Sequence, residues 1–207
     1  MESDLGFIHR FEPSPNESAG RTLILLHGTG GDENDMIPLG RQLDPVAALL
    51  SPRGPVNENG RNRFFRRLSE GVFDEEDVVR RARQLAEFCG AAARKYQFDL
   101  PGTVVVGYSN GANIAAAMLL LGQANFRGAI LLRTMVPLVP RQTASLGGAR
   151  VLILQGALDP IAPVENGRRL AALLEAAGCA VEFHLEKSDH ELTADDLRTA
   201  REWLHRG

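Results

Sequence analysis

Thr103-Val104-Val105-Val106-Gly107-Tyr108-Ser109-Asn110-Gly111 sets a β-branched run directly ahead of Gly-x-Ser-x-Gly, and an alanine-rich helical stretch over 112–121 follows at once. A turn that tight between strand and helix admits only glycine at its flanking positions, and it lifts one serine oxygen clear of the sheet. A glycine-rich loop that merely opens a helix would carry the same five letters. The strand before and the helix after give the pattern its meaning as a nucleophile elbow, so Ser109 is read as a nucleophile.

A serine hydroxyl is a poor nucleophile at its own pKa; it needs a histidine base, and the base needs an acid to hold its tautomer. On such an elbow the partners follow the serine in the order Ser, Asp or Glu, His, each on a loop after a later strand. His184, His190 and His205 lie downstream. His184 alternates with Val181, Phe183 and Leu185 in a strand-like run, and His205 falls in the last turn of the terminal helix, where it complements the dipole. His190 follows that strand across Lys187-Ser188-Asp189 and precedes Thr193, an N-cap with an acid three residues on. It is the base.

Val151-Leu152-Ile153-Leu154 reads as a buried strand, and Gln155-Gly156-Ala157-Leu158-Asp159-Pro160 leaves it. Asp159 ahead of Pro160 suits an ordinary turn, but its place between Ser109 and His190 makes it the acid. Asp189 is the rival because it adjoins His190. Neighbours on an extended loop usually point apart, so Asp189 better fits a turn or cap.

A tetrahedral intermediate needs two backbone N–H donors for its negative oxygen. One is Asn110, after the nucleophile and at a helix N-terminus. The second is expected from a loop after an earlier strand: Leu23-Ile24-Leu25-Leu26 runs into His27-Gly28-Thr29-Gly30-Gly31, and Thr29 is the donor chosen. His27 is read as fixing that loop through hydrogen bonds.

With 207 residues, 44% of them apolar, the chain can bury one sizeable core, and a single domain over 1–207 is expected. A net charge of −3 offers no broad attraction to nucleic acid or anionic membrane, which points to a small-molecule partner. Cys89 and Cys179 have no metal or redox spacing and read as small buried residues in a reducing compartment. The start has no basic-then-apolar signal, and no apolar run approaches spanning length, so a soluble cytoplasmic protein is expected. A homodimer is left open.

Strands are expected at 6–11, 22–26, 47–51, 103–106, 128–132, 151–154 and 180–186, with a turn at 13–18. Helices are expected at 34–43, 74–96, 111–121, 163–177 and 194–206. Over 74–96, apolar residues recur at three- and four-residue spacing, and four acids crowd its positive end. Such alternation implies an α/β fold: a mainly parallel sheet with helices on both faces. Two segments, 52–73 and 133–148, stand outside this pattern. As rims of a cleft they would offer Phe64, Phe65 and Leu138 as an apolar wall, and Arg53 or Arg66 to a polar group of the substrate. As ordinary surface loops they would pack the phenylalanines inward. Asp32, Glu33 and Asp35 match no calcium loop and are read as acids at a helix start, so no metal is expected.

Leu-His-Gly at 26–28, Ser-Pro-Arg-Gly-Pro at 51–55, Gly-Tyr-Ser-Asn-Gly-Ala at 107–112, Gly-Ala-Leu-Asp-Pro at 156–160 and Asp-His at 189–190 together resemble the phospholipase/carboxylesterase group of α/β-hydrolases. That group includes acyl-protein thioesterases and is related to dienelactone hydrolases. The resemblance implies an α/β-hydrolase fold without a separate cap domain and cofactor-independent hydrolysis of a carboxylic ester. It also implies Ser109 as nucleophile, Asp159 as acid, His190 as base, and Thr29 and Asn110 as oxyanion donors. Many thioesterase and lysophospholipase members have glutamine after the serine where this chain has Asn110. A main-chain donor survives that difference; the substrate does not carry over with it. Thioester or lysophospholipid deacylation is the alternative within this chemistry, and a non-catalytic binding protein the alternative outside it.

Overall fold

A computed structural model describes residues 5–16, 20–123, 125–142 and 145–206. The chain runs β1 (His9–Glu12), β2 (Thr22–Leu26), α1 (Ile37–Leu43), β3 (Ala48–Pro52), β4 (Val56–Glu58), β5 (Arg61–Arg63), β6 (Arg67–Ser69), β7 (Val72–Phe73) and α2 (Glu75–Tyr96). It continues through β8 (Val104–Tyr108), α3 (Asn110–Leu120), β9 (Gly128–Leu132), β10 (Arg150–Gly156), α4 (Val164–Ala176), β11 (Ala180–Glu186) and α5 (Ala194–His205). Seven strands form one sheet in the order β1-β3-β2-β8-β9-β10-β11, parallel except for β1, which pairs antiparallel with β3 at the edge. Of the turn expected at 13–18, residues 17 and 18 lie outside the described residues, as do 143 and 144 of the 133–148 segment.

Period-two alternation along the strands divides the core into two layers. Ile24, Leu26, Val105, Ala129, Leu131, Val151 and Ile153 point toward α2, α3 and α4, while Leu23, Leu25, Val104, Val106, Ile130, Leu152 and Leu154 point toward α1 and α5. Burying each such aliphatic side chain stabilises the fold by roughly 1.5–3 kcal/mol. Every residue of α3 is buried, because it packs between the sheet and its neighbouring helices; its small alanines permit that close approach. Asp74 caps α2 by accepting from the Asp77 amide, and Thr193 and Asp196 form a reciprocal capping box on α5. Gly178, at φ 91°, closes α4.

Two features differ from expectation. Residues 52–73 are not an irregular loop: β4 pairs with β5 and β6 with β7 in two short hairpins. The first turns at Asn59-Gly60, with φ 52° and 82°, the left-handed pair that a two-residue hairpin demands. Helix α1 starts at Ile37, so Asp32, Glu33 and Asp35 precede it. They brace the loop instead, Asp35 accepting from the Asp32 amide at 3.1 Å and Asp32 from the Asn34 amide at 2.8 Å.

Candidate active site

The C-terminal ends of β2, β8, β10 and β11 lie along one rim of the parallel sheet, where open α/β sheets place their ligands. The loops leaving them carry Thr29, Ser109, Asp159 and His190. Ser109 holds φ 51° and ψ −111°, a strained conformation that costs about 1–3 kcal/mol. It is held from both sides: its amide donates to Leu132 O at 2.8 Å and its carbonyl accepts from the Asn113 amide at 2.9 Å. The flanking glycines are required by close backbone approach. A Cβ on Gly111 would sit 2.0 Å from Leu26 O, and one on Gly107 2.6 Å from the Ala112 nitrogen.

His190 Nε2 lies 3.1 Å from Ser109 Oγ, and His190 Nδ1 lies 2.8 Å from Asp159 Oδ2. The Asp159 side chain is fully buried, and its other oxygen accepts from the Ile161 amide at 2.8 Å and the Ala162 amide at 2.9 Å. Those two donors dictate which carboxylate oxygen faces the histidine. Tyr108 packs its ring against His190 and donates its hydroxyl to His190 O at 3.0 Å. Burial raises the Tyr108 pKa, which keeps the phenol a donor. Asp189, the rival acid, accepts from the Glu191 amide at 2.9 Å and serves as a turn residue.

The Thr29 and Asn110 amides have no acceptor in the chain among the described residues. Hairpin β4–β5 braces the Thr29 loop: the Gly30 amide donates to Asn62 O at 2.8 Å, Asn62 Nδ2 to Gly31 O at 2.9 Å, and Arg63 Nη1 to Thr29 Oγ1 at 2.7 Å. Buried His27 completes the support, with Nδ1 2.7 Å from Gly28 O and Nε2 accepting from the Gly54 amide at 2.9 Å. Burial pushes the His27 pKa below the ordinary 6.5, which suits the neutral ring this pattern requires. The Asn110 side chain has a role that sequence reasoning missed: Oδ1 accepts from the Phe64 amide at 2.7 Å, tying the hairpin segment to the elbow.

The expected apolar wall is corrected. Phe64 and Phe65 are 1% and 0% exposed and Leu138 is buried with them in the core. Phe64 packs on His27, and Phe65 meets Phe73 edge-on. The hairpins fold back over the molecule and turn both rings inward. The exposed apolar side chains flanking Asp159 are Leu158, 67% exposed, and Ile161. The two arginines are paired within the chain. Arg53 grips Glu33 through Nε at 2.6 Å and Nη2 at 2.8 Å, and Arg66 grips Asp74, so each guanidinium already has a carboxylate. Cys89 and Cys179 are buried free thiols whose pKa values burial pushes up to about 12 and about 11. Among the described residues no group of three or more metal-ligating side chains comes together, and no helix is long and apolar enough to cross a membrane.

Residues 11–206 match the family model described as phospholipase/carboxylesterase. The chain belongs to this family. It is 43% identical over 195 residues to MhqD of Bacillus subtilis (strain 168), a protein named as a hydrolase, covering 94% of this chain and 96% of that one. It superposes on the crystal structure of the Bacillus cereus carboxylesterase with a TM-score of 0.91 at 45% identity, covering 95% of this chain and 92% of that one. A carboxylesterase from Mesorhizobium loti also gives a TM-score of 0.91, at 32% identity, covering 100% of this chain and 98% of that one. The phospholipase/carboxylesterase fold and its carboxylester hydrolase class are therefore those of this chain.

Proposed function

We propose that the protein hydrolyses carboxylic esters of small to medium acyl substrates through an acyl-enzyme on Ser109, with His190 as base and Asp159 as the acid orienting it. One observation carries this: the unbroken hydrogen-bond chain from Ser109 Oγ through both ring nitrogens of His190 to Asp159, at 3.1 and 2.8 Å. In the first half-reaction His190 Nε2 takes the Ser109 proton as Oγ attacks the ester carbonyl. The negative oxygen accepts from the Thr29 and Asn110 amides, a contribution worth about 10²–10³ in rate for one such donor. His190 then delivers the proton to the departing alkoxide, leaving acyl-Ser109. In the second half a water loses its proton to His190, attacks the acyl carbon and releases the acid. The steps require no cofactor.

Treatment with a fluorophosphonate tests this. One mass label localised to Ser109, lost in Ser109→Ala together with ester hydrolysis, is expected. A folded protein whose mass never changes, or a Ser109→Ala variant that still turns over ester, would overturn it.

A further inference from the structure

The segment that carries His190 is held by a side chain from another strand. Arg133, directly after β9, is fully buried and adopts φ 54°, a left-handed backbone unusual for arginine. Its amide donates to Leu154 O at 2.9 Å, so the residue is anchored between β9 and β10. The guanidinium then runs under the loop after β11. Nε donates to Asp189 O at 3.0 Å, and Nη2 to Glu191 O at 2.7 Å and Ser188 Oγ at 3.0 Å. Nη1 donates to Leu154 O at 3.3 Å. The positive charge is met by Asp196, its Oδ1 2.9 Å from Nη1 and its Oδ2 2.6 Å from Nη2. Asp196 Oδ2 also accepts from the Thr193 amide and hydroxyl, at 2.8 and 2.9 Å.

Every nitrogen of the fork is engaged, and the acceptors bracket one residue. Asp189 O and Glu191 O go to Arg133, and the carbonyl between them, His190 O, goes to Tyr108 Oη. Three successive carbonyls of a loop with no regular structure are thus fixed by side chains from β8 and from the end of β9, the strands that flank Ser109's own amide bond. A turn that needed only to be folded could satisfy those carbonyls with water. A planar guanidinium fixes their relative positions instead.

We propose that Arg133 is a positioning residue for the hydrolytic reaction: its fork, clamped to Asp196, sets the height and angle at which the His190 ring meets Ser109. This rests on the proposed roles of His190 and Ser109. Arg133 touches neither substrate nor the reacting atoms; it acts through the loop. A lysine keeps the charge facing Asp196, but its three donors radiate from one nitrogen and cannot span Asp189 O, Glu191 O and Ser188 Oγ as the spread, planar fork does. The His190 ring then loses its fixed placement. A misplacement of about 1 Å in such a site costs on the order of 10²-fold in rate.

The test compares wild type, Arg133→Lys, and the pair Arg133→Met with Asp196→Leu, which removes both buried charges at once and avoids stranding either. Steady-state hydrolysis of p-nitrophenyl acetate, fluorophosphonate labelling rates, and hydrogen exchange over 187–193 are read at a temperature where circular dichroism shows each protein folded. Both variants are expected to lose roughly 100-fold in kcat and in labelling rate with KM within about threefold of wild type. Exchange is expected to quicken over 187–193 and to stay unchanged in α3 and β8. A folded variant of either kind that keeps wild-type kcat overturns the clamp, as does a loss confined to KM or quickened exchange throughout the protein. Wild type that is itself never labelled at Ser109 would instead overturn the proposed hydrolytic roles.

Discussion

Replacing Asp159 with asparagine changes one atom, and the hydrogen bonds fix the consequence. Asp159 Oδ1 accepts from the amides of Ile161 and Ala162, at 2.8 and 2.9 Å, so the asparagine oxygen must stay there to avoid setting donors against donors. The NH2 group then faces His190 Nδ1, the position now held by Oδ2 at 2.8 Å. A donor in that place favours the tautomer with Nδ1 unprotonated and the proton on Nε2, pointed at Ser109, where it cannot accept the serine proton. A loss of about 10⁴-fold in kcat is expected, or about 5.5 kcal/mol in the barrier. Stability should change little, because size and both amide contacts are kept. Stopped-flow hydrolysis of p-nitrophenyl acetate gives the rates, and urea unfolding gives the stability. Asp189→Asn is the control: among the described residues that carboxylate accepts from the Glu191 amide alone, on the exposed side of the loop, so its kcat should stay within about threefold of wild type. If Asp159→Asn keeps activity within tenfold while Asp189→Asn loses it, the acid is misassigned.

Three further outcomes follow from the same contacts. Gly111→Ala would bring a methyl within 2.0 Å of Leu26 O; backbone cannot yield cheaply there, so a loss of about 3 kcal/mol and about 10 °C in the thermal midpoint is expected by calorimetry. Phe64→Ala should cost about 3–5 kcal/mol in urea unfolding; unchanged stability with altered acyl preference would place that ring in the cleft after all. Because burial lowers the His27 pKa below 6.5, the unfolded chain binds a proton there before the folded one does. Stability is therefore full above pH 6.5 and falls as the pH drops from that value toward the lowered one. Urea midpoints measured from pH 7.5 to 5.5 should fall more steeply for wild type than for His27→Asn, and parallel slopes would show that the ring is not held neutral.

Much of this was legible in the sequence because it rests on period and order. The strand at 180–186 announces itself by alternation, the helix over 74–96 by three- and four-residue spacing and the strand at 128–132 by its short continuous apolar run, and the structure places all three within a residue of those limits. Ser109, Asp159 and His190 each follow a strand in a fixed order, so the chain's topology brings them to one rim. Hairpins β4–β5 and β6–β7 have strands of two or three mostly polar residues, too short to establish a period. Asn59-Gly60 in the first hairpin and Gly71 in the second, each at a positive φ, are the signals the sequence does carry. Phe64 and Phe65 sit among arginines, a composition that reads as surface, yet long-range folding of the hairpins buries them. Arg133 was hidden for the opposite reason: a buried arginine follows no pattern, and its partners Ser188, Asp189, Glu191 and Asp196 lie more than fifty residues away in the chain.

The most direct measurement is intact mass after rapid quench of a p-nitrophenyl acetate reaction in the first turnover, followed by peptide mapping. One acetyl group on Ser109, appearing with the nitrophenolate burst and decaying at the steady-state rate, is expected. Continuous ester turnover with an adduct on another residue, or with Ser109 unmodified at every time point, would contradict the acyl-serine route.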